Sequence, residues 1–154
     1  MRTKLLAGVG ALALMALSSQ VNADPKKGTV TINVTVPASC SFYVSSSTIT
    51  ATLDPAKSDV TAEGSPQLQI LCTNGTNYTI RADNGLHYDS GSRRVFNEDA
   101  NAYIPYEFDW NPKSGSAQAS TPITVKTQAT FKVEDFQDKP AGTYTDTVTL
   151  TVNP

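Results

Sequence analysis

Apolar and polar residues alternate one by one over several stretches of the chain. In the clearest stretch, Thr29 to Val36, every second position carries valine or isoleucine (Val30, Ile32, Val34 and Val36), and small polar residues lie between them. Alternation with a period of two places the apolar side chains on one face of a β-strand. Pro37 ends the stretch, because its nitrogen carries no hydrogen for a strand ladder.

Further strands are predicted at intervals along the rest of the chain. They cover residues 48–53, 67–72, 78–82, 93–96, 103–110, 123–133 and 143–152. The Asn74-Gly75 step predicts a hairpin between the second and third of these, since both residues tolerate positive φ. Pro105 predicts an edge position or a bend for its strand. Seven or so short strands separated by turn residues indicate an all-β fold, an immunoglobulin-like β-sandwich.

The first 23 residues have the pattern of a secretory signal peptide. Arg2 and Lys4 precede an apolar run from Leu5 to Leu17, and Val21-Asn22-Ala23 fits the small-residue cleavage pattern. A retained N-terminal anchor is the alternative, but the apolar run is short for a helix that must cross about 30 Å of hydrocarbon. We therefore expect residues 1–23 to be removed and the mature chain to be exported.

Export determines how the cysteines and the charge are interpreted. Cys40 and Cys72 are the only cysteines, and a lone pair in an exported chain predicts one disulfide. Loss of Arg2 and Lys4 lowers the number of basic residues from 12 to 10 against 14 acidic ones, a formal charge of −4. This balance argues against a nucleic-acid partner, and it gives no attraction to an anionic membrane surface.

Groups with catalytic or metal-binding chemistry lack the partners that such chemistry needs. His87 is followed by Tyr88 and Asp89, but no nucleophile motif accompanies it, so it is predicted to be a surface histidine. Asp89, Glu98 and Asp99 lack the spacing of a calcium loop. We therefore predict no enzyme activity, no metal and no cofactor.

A cluster of aromatic residues is consistent with carbohydrate binding. Tyr103, Tyr106, Phe108 and Trp110 belong to one predicted strand and are able to stack on sugar rings, although packing in the core is the simpler use. One hypothesis is therefore a monomeric secreted sandwich that binds carbohydrate. It is the alternative to a structural subunit, the hypothesis that the N-terminal stretch supports. A hydrolase would need a nucleophile and a base that the sequence does not show.

The N-terminal alternating stretch allows two interpretations. It can be the first strand of a closed sandwich, since such domains commonly begin and end with strands. It can instead be detachable and add to an exposed sheet edge on another molecule, where its apolar side chains would fill a groove. Burial of four such side chains, at roughly 1.5–3 kcal/mol each, contributes about 6–12 kcal/mol before ordering costs. A head-to-tail contact of this type builds a filament.

Four blocks of the sequence resemble the archaic chaperone–usher pilins, the family also labelled spore coat protein U domains, which includes Csu-type pilus subunits. The blocks are Gly28–Val36 running into Cys40, Cys72–Ile80, Tyr106–Phe108 and Gly142–Val152. The last block is the most specific, because a G-x-Y-x-D-T-V sequence that leads into a final strand is unusual. The ending Asn153-Pro154 departs from the aromatic or apolar ending of commoner members.

The resemblance implies an immunoglobulin-like domain (residues 38–154) that lacks one strand and follows a donor strand segment (residues 24–37). A periplasmic chaperone would supply the missing strand, and at an outer-membrane usher the donor segment of an identical or related subunit would replace it. The donor side chains would be Val30, Ile32, Val34 and Val36; the acceptor groove and chaperone edge would be lined by Tyr144, Val148, Leu150 and Val152. Such a subunit would belong to a cell-surface pilus that supports adhesion or biofilm formation.

Overall fold

The computed structural model describes residues 25–118 and 121–154, so the predicted signal peptide lies outside the described residues. The chain divides into two units, one ending at Val34 and the other comprising residues 35–154. The described part of the first unit, residues 25–34, contains neither helix nor strand. All regular structure that the model describes therefore belongs to the second unit.

The second unit consists of short strands and one helical turn. The elements are β1 (Cys40–Val44), β2 (Thr48–Ile49), β3 (Val60–Ser65), β4 (Leu68–Cys72), β5 (Asn77–Ala82), β6 (Arg93–Asn97), β7 (Ala102–Asn111), β8 (Ser114–Ser116), β9 (Ile123–Phe131), α1 (Val133–Phe136) and β10 (Leu150–Asn153). Every strand pair is antiparallel. The predicted all-β class is confirmed.

The strands form two sheets that enclose the core. In the larger sheet β9 is central: β4 and then β3 pair along one side of it, and β7 pairs along the other. β1 adds to β4 and β2 adds to β3, so that β1 and β2 together form one edge of this sheet. The smaller sheet has the order β10-β5-β8. This two-sheet arrangement agrees with the predicted immunoglobulin-like sandwich.

Alternating side chains form two apolar clusters, and the first of them contains buried residues of both sheets. One cluster centres on Ile70 and Val125, and it includes Tyr78 and Ile80 of the smaller sheet. The other is built by these buried residues: Ile104, Tyr106, Ala129, Phe131 and Phe136. The period-two burial of β5 and β9 follows directly from the alternation in their sequences.

The predicted hairpin between residues 67–72 and 78–82 is wrong. β4 pairs with β1 and β9, whereas β5 pairs with β8 and β10, so the connection between β4 and β5 crosses from one sheet to the other. Gly75 has the positive φ of 76° that the sequence suggested. Its N–H, however, donates to the carbonyl of Ala117 at 2.9 Å instead of closing a hairpin. Turn chemistry predicted the reversal of the chain but not the sheet to which the next strand belongs.

Several strand boundaries also differ from the predictions. β1, β3 and β8 were not predicted, strand 48–53 is reduced to Thr48–Ile49, and the final strand begins at Leu150 instead of residue 143. Residues 29–36, which have the clearest alternation, are not a strand, because none of the described strands pairs with them. Pro105 lies in the half of β7 that pairs with β6, opposite Arg94, in agreement with the predicted edge position.

Candidate functional site

Two sheet edges are open on the same side of the core. β10 is the terminal strand of the smaller sheet and pairs only with β5 among the described strands. β1 and β2 form the matching edge of the larger sheet, and β1 lies close to β10. A sandwich normally closes such a gap with a further strand, because open edges leave backbone groups unpaired. We call the space between these two edges the open groove.

The free backbone groups along β10 follow from its register with β5. The N–H of Asp83 donates to the carbonyl of Thr149 at 2.9 Å, and Thr151 pairs with Arg81. In an antiparallel ladder successive residues point their N–H and C=O groups to opposite sides. The backbone groups of Leu150 and Val152 therefore point away from β5 and toward the open groove, where they are available to an incoming strand.

The core beneath the open groove is only partly covered. Among the described residues, Ile70 and Val125 are the only large side chains below 2 % exposure. Half-buried side chains from both edges pack on the two clusters: Cys40, Phe42, Ile49, Ala51 and Leu53 on one side, and Tyr144, Val148, Leu150 and Val152 on the other. The four predicted groove residues thus lie on one face, and each is partly exposed. An additional apolar strand would complete the burial of both clusters.

The stretch before β10 is held by one backbone bridge and by side chains. The backbone N–H and C=O groups of Thr145 exchange hydrogen bonds with those of Phe96, both at 2.9 Å. The Asp83 carboxylate accepts hydrogen bonds from the backbone N–H of Gly85 and Thr149, both at 2.9 Å. Burial by itself would raise the pKa of Asp83, but the hydrogen bonds from Thr149 and Gly85, with the Arg93 charge nearby, lower it below its ordinary value. The ionised form of the Asp83 carboxylate is therefore the form that holds the start of β10.

A second carboxylate, Asp146, anchors the same stretch to β7 and to the loop that precedes β6. Its side chain is 2 % exposed, and it accepts hydrogen bonds from the Tyr106 hydroxyl at 2.6 Å and the Leu86 N–H at 2.9 Å. Burial and the adjacent carboxylate raise the pKa of Tyr106. Asp146 was not predicted as a site residue, although an acidic residue at an inward position between Tyr144 and Val148 was the signal that could have revealed it.

His87 is not the surface histidine that the sequence predicted. Its side chain is 26 % exposed, and its Nδ1 lies 3.3 Å from a carboxylate oxygen of Asp146. Asp89, the neighbour considered as its orienting group, instead forms an ion pair with Arg94 at 3.1 Å. The ring of His87 packs against Phe96, with ring centroids 5.2 Å apart. These contacts place His87 in the structural support of the last strand.

The predicted donor residues are exposed in the isolated chain. Val30, Ile32, Val34 and Val36 have exposures of 86, 80, 81 and 73 %. Exposed β-branched residues in a row are unusual in a soluble chain, because each leaves substantial apolar surface in water. This N-terminal segment therefore carries an exposed apolar face, and none of the described strands pairs with its backbone.

The N-terminal segment joins the domain next to the disulfide. The predicted bond between Cys40 and Cys72 is present, with the two residues directly opposite each other in β1 and β4. One residue further on, the N–H of Thr73 donates to the carbonyl of Ser39 at 2.8 Å, and the Thr73 hydroxyl donates to the carbonyl of Pro37 at 3.0 Å. The point where the segment leaves the domain is thus held by one covalent bond and two hydrogen bonds.

Three of the four aromatic residues of β7 make contacts within the protein. Tyr106 is 9 % exposed and contacts Phe131, and its hydroxyl is already bonded to Asp146. Phe108 and Trp110 are half-buried and stack on each other, and the Trp110 Nε1 donates to the carbonyl of Ile80 at 3.3 Å. Their faces are used inside the protein, which is the use expected of core aromatic residues.

Residues 25–118 and 121–154 contain no metal-binding cluster and no helix of membrane-spanning length. In this part of the chain no three His, Cys, Asp or Glu side chains are grouped to hold a metal ion. Likewise, none of the helical structure described there is long and apolar enough to span a bilayer.

The comparisons with known proteins place this geometry in context. The Spore Coat Protein U domain family matches residues 26–151, which confirms the resemblance carried by the four sequence blocks. Among solved structures, the chain is similar to the pre-assembly complex of the chaperone CsuC and the tip adhesion subunit CsuE, from archaic chaperone–usher Csu pili of Acinetobacter baumannii. The identity is 23%, the TM-score is 0.46, and the match covers 77% of this chain and 40% of that chain. A search of curated proteins gave no match.

Proposed function

The chain belongs to the Spore Coat Protein U domain family, and on that premise we propose that it is a structural subunit of a bacterial surface fibre assembled by donor-strand exchange. The observation that carries the proposal is that one chain has both an open groove and an unpaired apolar segment. Each lacks what the other has: the groove needs a strand, and the segment needs a sheet edge. An extended segment that adds to a sheet edge obtains affinity from the backbone and specificity from alternate side chains.

The dimensions of the segment and the open groove agree. Residues 29–36 form eight extended residues, about 26 Å at 3.3 Å each. The wall of the open groove from Tyr144 to Val152 comprises nine residues whose exposure alternates throughout. Four apolar side chains two residues apart in the segment would thus face half-buried positions with the same spacing. The expected contribution is the 6–12 kcal/mol gross of four buried aliphatic side chains.

The geometry of the open groove favours donation between molecules. The chain reverses between β4 and β5, and both β1–β4 and β5–β10 are antiparallel, so β10 runs opposite to β1. A strand antiparallel to β10, as in a complete immunoglobulin sandwich, would therefore be parallel to β1. For the chain's own segment, residues 37–39 would then have to span most of the length of the groove, but they reach at most roughly 14 Å. A second copy has no such restriction.

Repeated donation would generate a fibre and would require assistance before assembly. Each subunit offers its groove to one neighbour and its segment to another, a head-to-tail contact that does not close on itself. An open edge above a half-covered core is an aggregation hazard. We therefore assign transient coverage of the groove to a periplasmic chaperone, and exchange of the chaperone for the next subunit to an outer-membrane usher, with export after removal of residues 1–23. Adhesion or biofilm formation would be a property of the assembled fibre.

The test compares the mature chain with a variant that lacks residues 24–36. Both are exported together with their cognate chaperone, released, and examined on unheated denaturing gels and by electron microscopy. We expect a heat-sensitive ladder and fibres from the mature chain, and a chaperone-bound monomer from the variant. A mature chain that remains a stable monomer without the chaperone would contradict strand donation. A second test adds a synthetic peptide of residues 28–37 to the truncated variant. If the segment is the missing strand, the peptide should make the folded variant resistant to heat.

A further inference from the structure

Thr73 lies where the N-terminal segment leaves the domain. The segment can enter its own groove in one way only: a tight reversal at residues 37–39 would make it antiparallel to β1 and parallel to β10. Strand addition in the parallel sense still buries side chains and pairs backbone groups, so this self-insertion competes with donation to a neighbour. The competition is severe because a segment on the same chain has a high effective concentration.

The contacts of Thr73 oppose this reversal. Its N–H binds the carbonyl of Ser39 at 2.8 Å, which extends the β1–β4 ladder one residue beyond the disulfide. Its hydroxyl binds the carbonyl of Pro37 at 3.0 Å. The Pro37 carbonyl lies beyond the last backbone hydrogen bond of the ladder, so the side chain of Thr73 extends the contact between the two segments by two residues. A tight reversal at residues 37–39 would have to break both hydrogen bonds.

We propose that Thr73 is a positioning residue that keeps residues 37–39 in line with β1 and so directs the N-terminal segment to a neighbouring subunit instead of its own groove. The inference rests on the proposed strand donation. The disulfide supports the same arrangement, because it fixes the ends of β1 and β4 next to the Thr73 contacts. Thr73, which lies outside the open groove, would thereby influence the ratio of self-inserted monomer to fibre.

The experiment removes only the hydroxyl contact. Thr73→Val keeps the backbone hydrogen bond and the shape of the side chain, whereas Thr73→Ser retains the hydroxyl. Thr79→Val is the matched control, since Thr79 is an exposed threonine on β5. Each full-length variant is exported with the chaperone and released, and the fraction that stays monomeric without the chaperone is measured on unheated gels. Amide hydrogen exchange is measured for residues 29–36 in the monomer, and slow exchange of these residues identifies self-insertion.

The loss of one hydrogen bond of ordinary strength corresponds to roughly a two- to tenfold change in the ratio of self-inserted monomer to fibre. We expect Thr73→Val to raise the self-inserted monomer by that factor with residues 29–36 protected, and Thr73→Ser and Thr79→Val to behave as the unmodified chain. A Thr73→Val chain that partitions as the unmodified chain, or a monomer in which residues 29–36 exchange freely, would overturn the inference. If the unmodified chain forms no ladder at all, the proposed function itself fails, and the two failures are thereby distinguished.

Discussion

Replacement of single residues in the N-terminal segment distinguishes a donated strand from a flexible leader. Ile32 is one of four apolar residues that share a face, and Thr31 is its neighbour on the opposite face. If the segment inserts as a strand, Ile32→Ala removes buried surface while Thr31→Ala removes solvated surface. A leader that only tethers subunits would make the two changes equivalent.

The magnitude follows from the number of carbons removed. Ile32→Ala deletes three carbon groups, which at about 0.8 kcal/mol each amounts to roughly 2.4 kcal/mol of lost transfer free energy. With the unfilled cavity included, replacements of this kind cost about 2–5 kcal/mol in total. At 1.4 kcal/mol per tenfold, the contact between subunits should weaken by roughly 30-fold or more. Thr31→Ala should remain within about 0.5 kcal/mol, or roughly twofold.

Fibre dissociation in guanidinium chloride measures both variants. Purified fibres are incubated at increasing denaturant, and the fraction of ladder that survives is read from unheated gels. We expect the midpoint for Ile32→Ala to fall clearly below that of the unmodified fibre and the midpoint for Thr31→Ala to stay near it. Equal midpoints for the two variants, or a larger loss for Thr31→Ala, would show that the segment does not insert with its predicted apolar face.

Three further predictions concern the domain itself, each measured as the free energy of unfolding. Joint replacement of Cys40 and Cys72 by alanine should cost about 3–4 kcal/mol, the value for a closed loop of roughly 33 residues, and an unchanged denaturation midpoint would refute a structural role for the bond. Gly85→Ala should cost about 1–3 kcal/mol, because Gly85 has a φ of +78° and a Cβ there would collide with a carboxylate of the final stretch; Gly75→Ala, with a similar φ of +76° and open space, is the control and should cost less. The lowered pKa of Asp83 means that its stabilisation is present above the unfolded pKa of about 3.9 and is lost as the pH falls through the folded value. Asp83→Asn should therefore flatten the loss of stability between about pH 5 and pH 2, and parallel pH curves would contradict this.

Local pattern determined much of this protein without its structure. Period-two alternation revealed the all-β class and the inward face of residues 144–152, because the burial of alternate side chains in a strand is a local property. The disulfide followed from the number of cysteines together with the predicted signal peptide. The four blocks of sequence likewise sufficed to identify the family that matches residues 26–151.

Pairing between distant parts of the chain was beyond such reasoning. Asn74-Gly75 signals a reversal equally well in a hairpin and in a crossing between sheets, and only the positions of β1, β9 and β10 decide between them. The anchoring of the last strand by Asp83 and Asp146 depends on a loop about 60 residues away in sequence, with no local signature.

The same distinction applies to residues 29–36, the most strand-like stretch in the sequence. Their alternation predicts how their side chains would be oriented once paired, but a strand exists only with a partner edge. The tertiary structure leaves Val30, Ile32 and Val34 exposed and leaves the edge of β10 open. The sequence by itself thus specified the alternation of residues 29–36. Only the arrangement of the two sheets decided that β10 is an edge strand among the described strands, because strand pairing joins residues that are distant in sequence.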